Sequence, residues 1–350
     1  MPALPGRLGR GPRGEDPLAR TDAWFLANGL SYFVPEKRQE ARAALSPRRT
    51  VPRLVAVGVT AAGLGVALAW VTGQVAAAPA VVVTLVLGSV LFYALTVLHA
   101  RPILVWALAR TASSLPSVLP LMTRALPLLL VFVTFLFINA EVWQLSASLP
   151  TGTLWLVVLL FGGLAAGFLL VRLPEEVDKV DDAVDDRFLR RACRGTPLEQ
   201  VCRELLEEPG SGAGHPRELA TVTGFERANL IIFLVVVQFV QVLLMAASVF
   251  VFFLVFGAIT MGLEVQSGWT TIDAADIRAV PYLDQVSVPL FQVSLFLGSF
   301  SMLYLTVSTV TDDTYRAQFF GLVTRELERA VGMRAVYLAL RRRRGLDEQV

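Results

Sequence analysis

Polar side chains inside apolar stretches are the first candidates for chemistry in this chain of 350 residues. Gln238, Gln241 and Ser301 lie within two long apolar stretches, and Thr134 lies at a matching predicted depth in a third. A side-chain amide that faced lipid would be costly, so both glutamines should point into a helix bundle. The pattern predicts a polar layer in the inner half of that bundle. Two interpretations stay open: a single interhelical hydrogen bond, or a small hydrated cavity on a conduction path.

A second polar group lies near the expected outer end of the third apolar stretch, where Asn139, Glu141 and Trp143 follow one another closely. Glu141 is the only acidic residue within the predicted spanning segments. Tryptophan is common at membrane interfaces, so an interfacial cap explains this composition. The alternative is a binding site on the outer face.

The run EEVDKVDDAVDD (175–186) contains seven carboxylates. On a helix, Asp178, Asp182 and Asp185 share a face that could hold a divalent cation. The alternative is a solvated acidic face in which Asp186 pairs with Arg190 one turn later. The glycine that an EF-hand loop needs is missing from this run, so we predict no metal site.

No motif in the chain indicates an enzyme. HExxH, GxSxG, P-loop and Rossmann glycine patterns are all absent from the sequence. The two histidines, His99 and His215, are far apart, and Cys193 and Cys202 lie in a charged segment without a ligand cluster. We therefore expect no catalytic residues, no cofactor, no structural zinc and no nucleic-acid partner, and we expect two free thiols.

The amino-acid composition indicates that these residues are positioned by membrane-spanning helices. Hydrophobic residues make up 55% of the chain and charged residues only 17%, against about 25% in ordinary soluble domains. A bilayer can absorb this much apolar surface, whereas a soluble core cannot. The predicted fold is all-α, a polytopic transmembrane bundle of six spanning helices, at 54–73, 75–98, 125–145, 153–172, 229–258 and 286–310.

The distribution of basic residues predicts the orientation of this bundle. Thirty of the 31 fall in four alternate connections, at 1–53, 99–124, 172–228 and 311–350. The other connections contain only Arg278. Cytoplasmic loops carry the excess of lysine and arginine, so both termini should be cytoplasmic. The chain then divides into an N-terminal segment 1–53, a transmembrane domain 54–310 with a cytoplasmic helical loop 173–228, and a C-terminal helix and tail 311–350.

The cytoplasmic segments have amphipathic patterns of their own. Residues 22–45 are rich in aromatic side chains, which predicts an interfacial helix or hairpin on the headgroups. For residues 99–124 we predict one or two interfacial helices, because Arg110 and two prolines would destabilise a membrane-spanning helix there. Residues 174–208 form a charged helical region with a narrow apolar stripe at Val177, Val180, Val184 and Phe188.

The C-terminal segment 313–341 predicts a long amphipathic helix that lies along the membrane or docks on the bundle. It ends in Arg341, Arg342, Arg343 and Arg344, and basic residues near a membrane surface bind anionic lipid. On the fourth predicted span, Gly163 and Gly167 form a GxxxG motif. Such a motif lets another helix approach closely, either within the chain or in a homo-oligomer.

Two stretches, LPLLLVFVTFLFINAEVWQ (126–144) and TVSTVTDDTYRAQFF (306–320), resemble segments of uncharacterised integral membrane proteins of actinobacteria. The resemblance implies a bacterial plasma membrane and no assigned activity. Lys37 and Lys179 are the only lysines, an arginine bias typical of a GC-rich bacterial genome. The large cytoplasmic segments favour a membrane scaffold or signalling accessory. The alternative is a channel or transporter with a polar layer on the fifth and sixth helices.

Overall fold

The computed structural model describes residues 16–44, 47–73, 77–96, 100–109, 129–207, 215–311 and 313–346. Within these ranges the chain is almost entirely helical, with one short β-hairpin. Four helices are long and apolar enough to cross a membrane, and a bent helix pair makes a fifth if it counts as one span. The protein is therefore a helical, multi-pass membrane protein.

The elements follow one another along the chain with short connections. The N-terminal elements are α1 (Pro17–Ala27), a 3-10 turn (Ser31–Phe33), α2 (Pro35–Ala44), α3 (Pro47–Thr72), α4 (Ala77–Thr96) and a short helix at 101–109. The central elements are α5 (Leu129–Phe137), α6 (Ala140–Ser148), α7 (Thr151–Asp182), α8 (Asp186–Cys193), α9 (Glu199–Glu207) and a 3-10 turn (Pro216–Leu219). The C-terminal elements are α10 (Gly224–Thr260), α11 (Leu263–Thr270), β1 (Ala279–Val280), β2 (Leu283–Ser287), α12 (Val288–Thr311) and α13 (Asp313–Arg343).

Helices α3 and α4 form a hairpin with a close crossing. A Cβ added at Gly65 would lie 2.8 Å from the carbonyl oxygen of Ala78, so only glycine fits there. Helix α4 meets the length and hydropathy expected of a span, whereas α3 offers the shorter apolar stretch Val55–Val71. Of the six predicted spans, four correspond to long apolar helices and a fifth to the bent pair if it counts as one span, whereas the predicted span 54–73 corresponds only to the shorter stretch in α3.

The bent pair corrects the prediction of one straight helix at 125–145. Helices α5 and α6 meet at an angle of 74°. The side chain of Asn139 accepts a hydrogen bond from the amide of Glu141 at 2.8 Å and so caps α6. The indole of Trp143 donates to the carbonyl oxygen of Phe137 at 2.6 Å, which satisfies the end of α5. Asparagine prefers caps to helix interiors, and here it starts a new helix. Residues 125–128 lie outside the described part of the chain.

Two helices continue well beyond the hydrocarbon layer. Helix α7 has 32 residues and α10 has 37, so α10 is about 55 Å long against about 30 Å of hydrocarbon. The predicted spans 153–172 and 229–258 are their apolar parts. The first part of the predicted charged region 174–208 therefore continues α7 directly. A helix that crosses this boundary without a break carries its orientation into the segment outside the membrane.

Beyond their membrane-spanning parts, α7 and α10 pack with α1, α2, α8, α9 and α13 around one hydrophobic core. We call this group of packed helices the polar-side module. Residues 330–340 of α13 are buried apart from the half-buried Leu338, and Val331, Met333 and Val336 are fully inaccessible. The stripe predicted within 174–208 also belongs to this core, since Val177, Val180, Val184 and Phe188 are all buried in it. Helix α13 is thus docked inside the protein.

The aromatic residues of the predicted interfacial segment 22–45 also lie in this core, which corrects that prediction. Phe25 is fully buried and meets the ring of Tyr337 edge to face, with 5.3 Å between centroids. Tyr32 meets Phe225 in the same way at 5.9 Å. Aromatic side chains need apolar cover, and here neighbouring helices supply it instead of lipid. The helix at 101–109, part of the predicted interfacial segment 99–124, packs against the turn at Gly29, while 110–124 lie outside the described residues.

At the opposite end of the bundle, α11 and the hairpin β1–β2 form a small cap. The rings of Trp143 and Trp269 meet with 6.0 Å between centroids and join α6 to α11. The side chain of Gln266 is buried, donates to the carbonyl oxygen of Met261 at 2.8 Å and accepts from the hydroxyl of Ser287. The polar-side module and this cap thus close the two ends of the bundle.

Candidate functional site

A buried carboxylate marks the junction where α10 enters the polar-side module. Glu226 lies in the first turn of α10 and is only 3% exposed. Its Oε2 accepts from Nε of Arg334 at 2.6 Å, and its Oε1 lies 3.2 Å from Nη1 of Arg38. Arg334 belongs to α13 and Arg38 to α2. One carboxylate therefore ties a membrane helix to both the N-terminal and the C-terminal segments.

The guanidinium of Arg334 also holds the loop that precedes α10. Its Nη1 donates to the carbonyl oxygens of Leu219 at 2.7 Å and of Thr221 at 3.0 Å. A buried charge is tolerated only when it is paired and hydrogen-bonded, and both conditions are met here. Because both partners are buried and belong to different helices, the pair works as a clamp between α10 and α13.

One helical turn further on, Asn229 makes a second connection of the same kind. Its side chain is fully buried, donates to the carbonyl oxygen of Gly29 at 3.1 Å and accepts from the amide of Tyr32 at 3.0 Å. Gly29 has a φ of +70°, a backbone conformation that favours glycine. The side-chain amide of Asn229 thus satisfies the carbonyl oxygen of Gly29 and the backbone N–H of Tyr32. These two groups of the turn lie outside ordinary helix or sheet pairing.

Acidic side chains complete the junction at its margins. The hydroxyl of Tyr337 donates to Asp22 at 2.6 Å, and burial raises the pKa of the Asp22 carboxyl. Asp181 accepts from the amide of Val222 at 3.0 Å, and burial raises its pKa as well. These contacts fasten α1 to α13, and α7 to the loop before α10.

The acidic run 175–186 is used for pairing and capping. Asp178 lies 3.0 Å from the guanidinium of Arg227, and Asp185 accepts from the amide of Phe188 at 2.6 Å as the cap of α8. Across the described ranges, no group of three His, Cys, Asp or Glu side chains is placed to hold a metal ion. The shared-face cation site is therefore not formed by those residues.

Sequence reasoning missed the clamp, although one signal was present. Glu226 and Asn229 are three residues apart, so on a helix they share a face with the apolar residues Leu230 and Phe233. Polar residues on an otherwise apolar stripe indicate a buried partner. Their partners lie far away in the chain: Arg334 is 108 residues from Glu226, and Tyr32 is 197 residues from Asn229.

The residues of the predicted polar layer lie in the helix bundle, and most of them are buried. Gln238, Gln241 and Ser301 are buried, and Thr134 on α5 is half-buried. The hydroxyl of Ser301 donates to the carbonyl oxygen of Leu297 in its own helix at 2.7 Å. The amide oxygen of Gln241 is buried and has no hydrogen-bond partner among the described residues. Both glutamines thus avoid lipid, and the side-chain oxygen of Gln241 remains available as a hydrogen-bond acceptor.

The predicted outer group does not converge on a site. Trp143 is fully buried against Phe137 and is not part of an interfacial belt, which corrects that interpretation. Asn139 and Glu141 are both exposed, and Asn139 is committed to capping α6. The bend between α5 and α6 turns the indole of Trp143 inward, away from these two side chains.

Among the described residues, the GxxxG pair on α7 makes no close helix contact. A Cβ added at Gly163 or at Gly167 would meet nothing within 4 Å among the described residues. A Cβ added at the neighbouring Gly162 would lie 3.2 Å from the methyl carbon of Met302, so Gly162 faces the bundle instead. The described residues therefore do not support intramolecular packing through the predicted pair, in which Gly163 is exposed and Gly167 is half-buried.

The arginines at the end of α13 are partly used inside the protein. Arg341 lies over the ring of Tyr337 and donates to the carbonyl oxygen of Leu346 at 3.0 Å. Arg344 donates to Asp16 at 2.5 Å and holds the pKa of that carboxyl below its usual value. Arg342 and Arg343 are exposed. The lipid contact predicted for the four arginines stays a prediction.

The remaining candidates have structural roles. Cys193 and Cys202 are free and buried in the module core, and their mutual contact, followed by burial, raises the pKa of the Cys193 thiol. His215 accepts from the amide of Arg217 at 3.3 Å as the cap of a 3-10 turn.

The chain matches no family model, no curated protein and no solved structure.

Proposed function

We propose that this chain is a scaffold or signalling accessory of a bacterial plasma membrane, and not an enzyme. The observation that supports this most strongly is the clamp at Glu226, which ties α10 to both terminal segments. Together with the unbroken helices α7 and α10, it makes the module and the membrane helices one mechanical unit. A helix displaced in the membrane would move the module with it.

The module belongs on the cytoplasmic side in this proposal, with both termini inside. The support is the concentration of basic residues in the connections at the module end, against Arg278 alone at the other end. Arg342 and Arg343 then face an anionic inner leaflet. The outward face at Gly163 and Gly167 suits a second copy of the chain in a homo-oligomer.

The alternative is a channel or transporter, and one observation favours it. The amide oxygen of Gln241 lies inside the bundle without a partner among the described residues. A buried acceptor of this kind is costly unless water or an ion meets it. A hydrated path through the inner half of the bundle would satisfy it.

Ion flux into vesicles separates the two proposals. The purified full chain is reconstituted into liposomes loaded with reporters for potassium, chloride and protons, beside a Gln241→Leu variant and empty liposomes. The scaffold proposal expects all three preparations to leak at the same rate. Flux through the wild type that Gln241→Leu abolishes would overturn it in favour of the channel.

A photo-crosslinking residue tests the scaffold directly. Placed at Arg203, which is exposed on α9 of the module, it should give discrete protein adducts in native membranes. The matched control is the same residue at Val171, which is 77% exposed on the apolar part of α7 and should meet only lipid. Identical patterns from the two positions would contradict a module-specific partner.

A further inference from the structure

We infer that a cleft between α7 and α13 binds the headgroup of a zwitterionic aminophospholipid from the adjoining leaflet. The cleft has a volume of about 230 Å³ and is separate from the clamp at Glu226. Its walls come from four helices: Glu176, Lys179, Val180 and Ala183 of α7, Phe188 of α8, Leu234 of α10, and Thr324, Leu327 and Glu328 of α13.

The floor of the cleft is apolar and rigid. Val180, Phe188, Leu234 and Leu327 line it, and each of them is less than 10% exposed because the rest of its surface is packed in the module core. Such a floor binds the hydrocarbon part of an amphiphile and offers nothing to a purely polar solute.

The two rims carry different charged groups, an ion pair on α7 and a carboxylate on α13. On α7, the ammonium of Lys179 is exposed and lies 2.7 Å from Glu176, which Arg172 also approaches at 3.6 Å. On α13, Glu328 is half-buried and has no ion pair or hydrogen bond among the described residues. An ammonium donates up to three hydrogen bonds, so Lys179 can bind a phosphate while it stays paired with Glu176. One wall thus offers ammonium donors and the other a carboxylate, which complements a ligand that bears both a phosphate and an ammonium.

The depth of the cleft places it at the membrane boundary. Arg172 is the first charge after the apolar part of α7, and Glu176 lies four residues further out, about 6 Å along the helix. The headgroup layer is about 5–8 Å thick on each side of a bilayer, so Glu176 lies within it. Leu234 lies seven residues inward of Arg227, about 10 Å towards the hydrocarbon. The cleft therefore connects the two layers.

The charges also select against anionic lipids and against amphiphiles that carry only a positive charge. A lipid with a net negative headgroup would bring its charge beside Glu328, which has no cation to compensate it among the described residues. A cationic amphiphile without a phosphate would leave the remaining donors of Lys179 without an acceptor. In an aminophospholipid, the ammonium meets Glu328 and the phosphate meets Lys179, while the first acyl carbons cover the floor.

Binding of short-chain lipids to the full protein in detergent tests this inference. Native mass spectrometry would compare dihexanoyl phosphatidylethanolamine with dihexanoyl phosphatidylglycerol and with free phosphoethanolamine. We expect the first to bind more tightly than the second, and the free headgroup not to bind at the same concentration because it lacks the acyl carbons. Equal binding of the two lipids, or preference for the glycerol headgroup, would overturn the inference.

Substitutions at the rim sharpen the test. Glu328→Gln should weaken phosphatidylethanolamine binding by roughly tenfold, the loss of one charge-assisted hydrogen bond, and should leave phosphatidylglycerol binding no weaker. The matched control is Glu218→Gln, which changes an exposed carboxylate of the module outside the cleft. Ala183→Phe should fill the cleft and block both lipids. Unchanged selectivity in Glu328→Gln would refute the assignment of the ammonium.

Discussion

The polar-side module and the hairpin of α3 and α4 use helices in opposite ways. The C-terminal half of α13 carries many charges, yet Val331, Met333 and Val336 in it are completely buried. Helix α3 is far more apolar, yet its Trp70 is 87% exposed and its Val71 is 76% exposed. Burial in this protein thus follows the number of neighbouring helices and not the hydrophobicity of the segment. The apolar surface of α3 needs lipid to cover it, whereas the module covers its own.

The two regions also differ in how they are joined to the rest of the bundle. The module is held by buried polar contacts that each satisfy several groups, such as those of Glu226 and Asn229. The hairpin is held to α7 through α4, where the indole of Trp155 donates to the hydroxyl of Thr84 at 2.8 Å. Changes in the module should therefore have large effects, and matched changes in the hairpin small ones.

The largest effect is expected from Arg334→Met. It leaves the buried carboxylate of Glu226 with Arg38 alone and two carbonyl oxygens without a donor, so the module should lose about 3–5 kcal/mol of stability. Cys193 and Cys202, the only cysteines, are buried in the module and report its opening. Their rate of labelling by a thiol reagent in detergent should rise steeply.

Arg203→Met is the control for that experiment. Arg203 and Glu199 form an exposed pair at 3.9 Å, and such pairs contribute about 0–1 kcal/mol. The labelling rate should stay near that of the wild type. Equal rates in Arg334→Met and Arg203→Met would show that the clamp does not stabilise the module.

An intermediate effect is expected from glycine substitutions in the two regions. A Cβ at Gly332 would lie 2.4 Å from the Cβ of Ala192, so Gly332→Ala should force α13 away from α8 and cost about 1–3 kcal/mol. A Cβ at Gly63 in the hairpin would meet nothing within 4 Å in the described part of the chain, so Gly63→Ala should be neutral or stabilising. Thermal unfolding in detergent measures both. A larger loss in Gly63→Ala would reverse the comparison.

The smallest effect is a dependence on pH from Asp22 in the module. Burial raises the pKa of its carboxyl above the usual 3.8, so the folded protein takes up the proton before the unfolded chain does as the pH falls. Stability from this group is therefore present at low pH and is lost as the pH rises through the folded pKa. Asp22→Asn keeps an acceptor for Tyr337 and removes the charge.

The variant should consequently gain stability relative to the wild type at pH 7, and the gain should shrink towards about pH 4. Thiol labelling or thermal unfolding across this range measures the difference. A gain that grows as the pH falls would contradict the raised pKa of Asp22.

Much of the fold was predictable because apolar runs in a bilayer must satisfy their own backbone groups, and helices do so locally. The runs that became α4, α7, α10 and α12 were read from composition and length alone. The break at Asn139 was not, since it depends on a cap and on the indole of Trp143 turning inward. Similarly, whether Phe25 and Tyr32 are covered by lipid or by protein depends on which helices pack beside them, and the sequence pattern does not specify those helices.

By itself, the sequence determined that this protein is a helical membrane protein with its charges gathered in alternate connections, because hydropathy and charge act locally along the chain. Only the tertiary structure decided where the critical polar contacts lie. Glu226 and Arg334 are 108 residues apart, and no local pattern pairs two residues at that separation. The cleft between α7 and α13 has the same origin, since its rims meet only after four helices have packed.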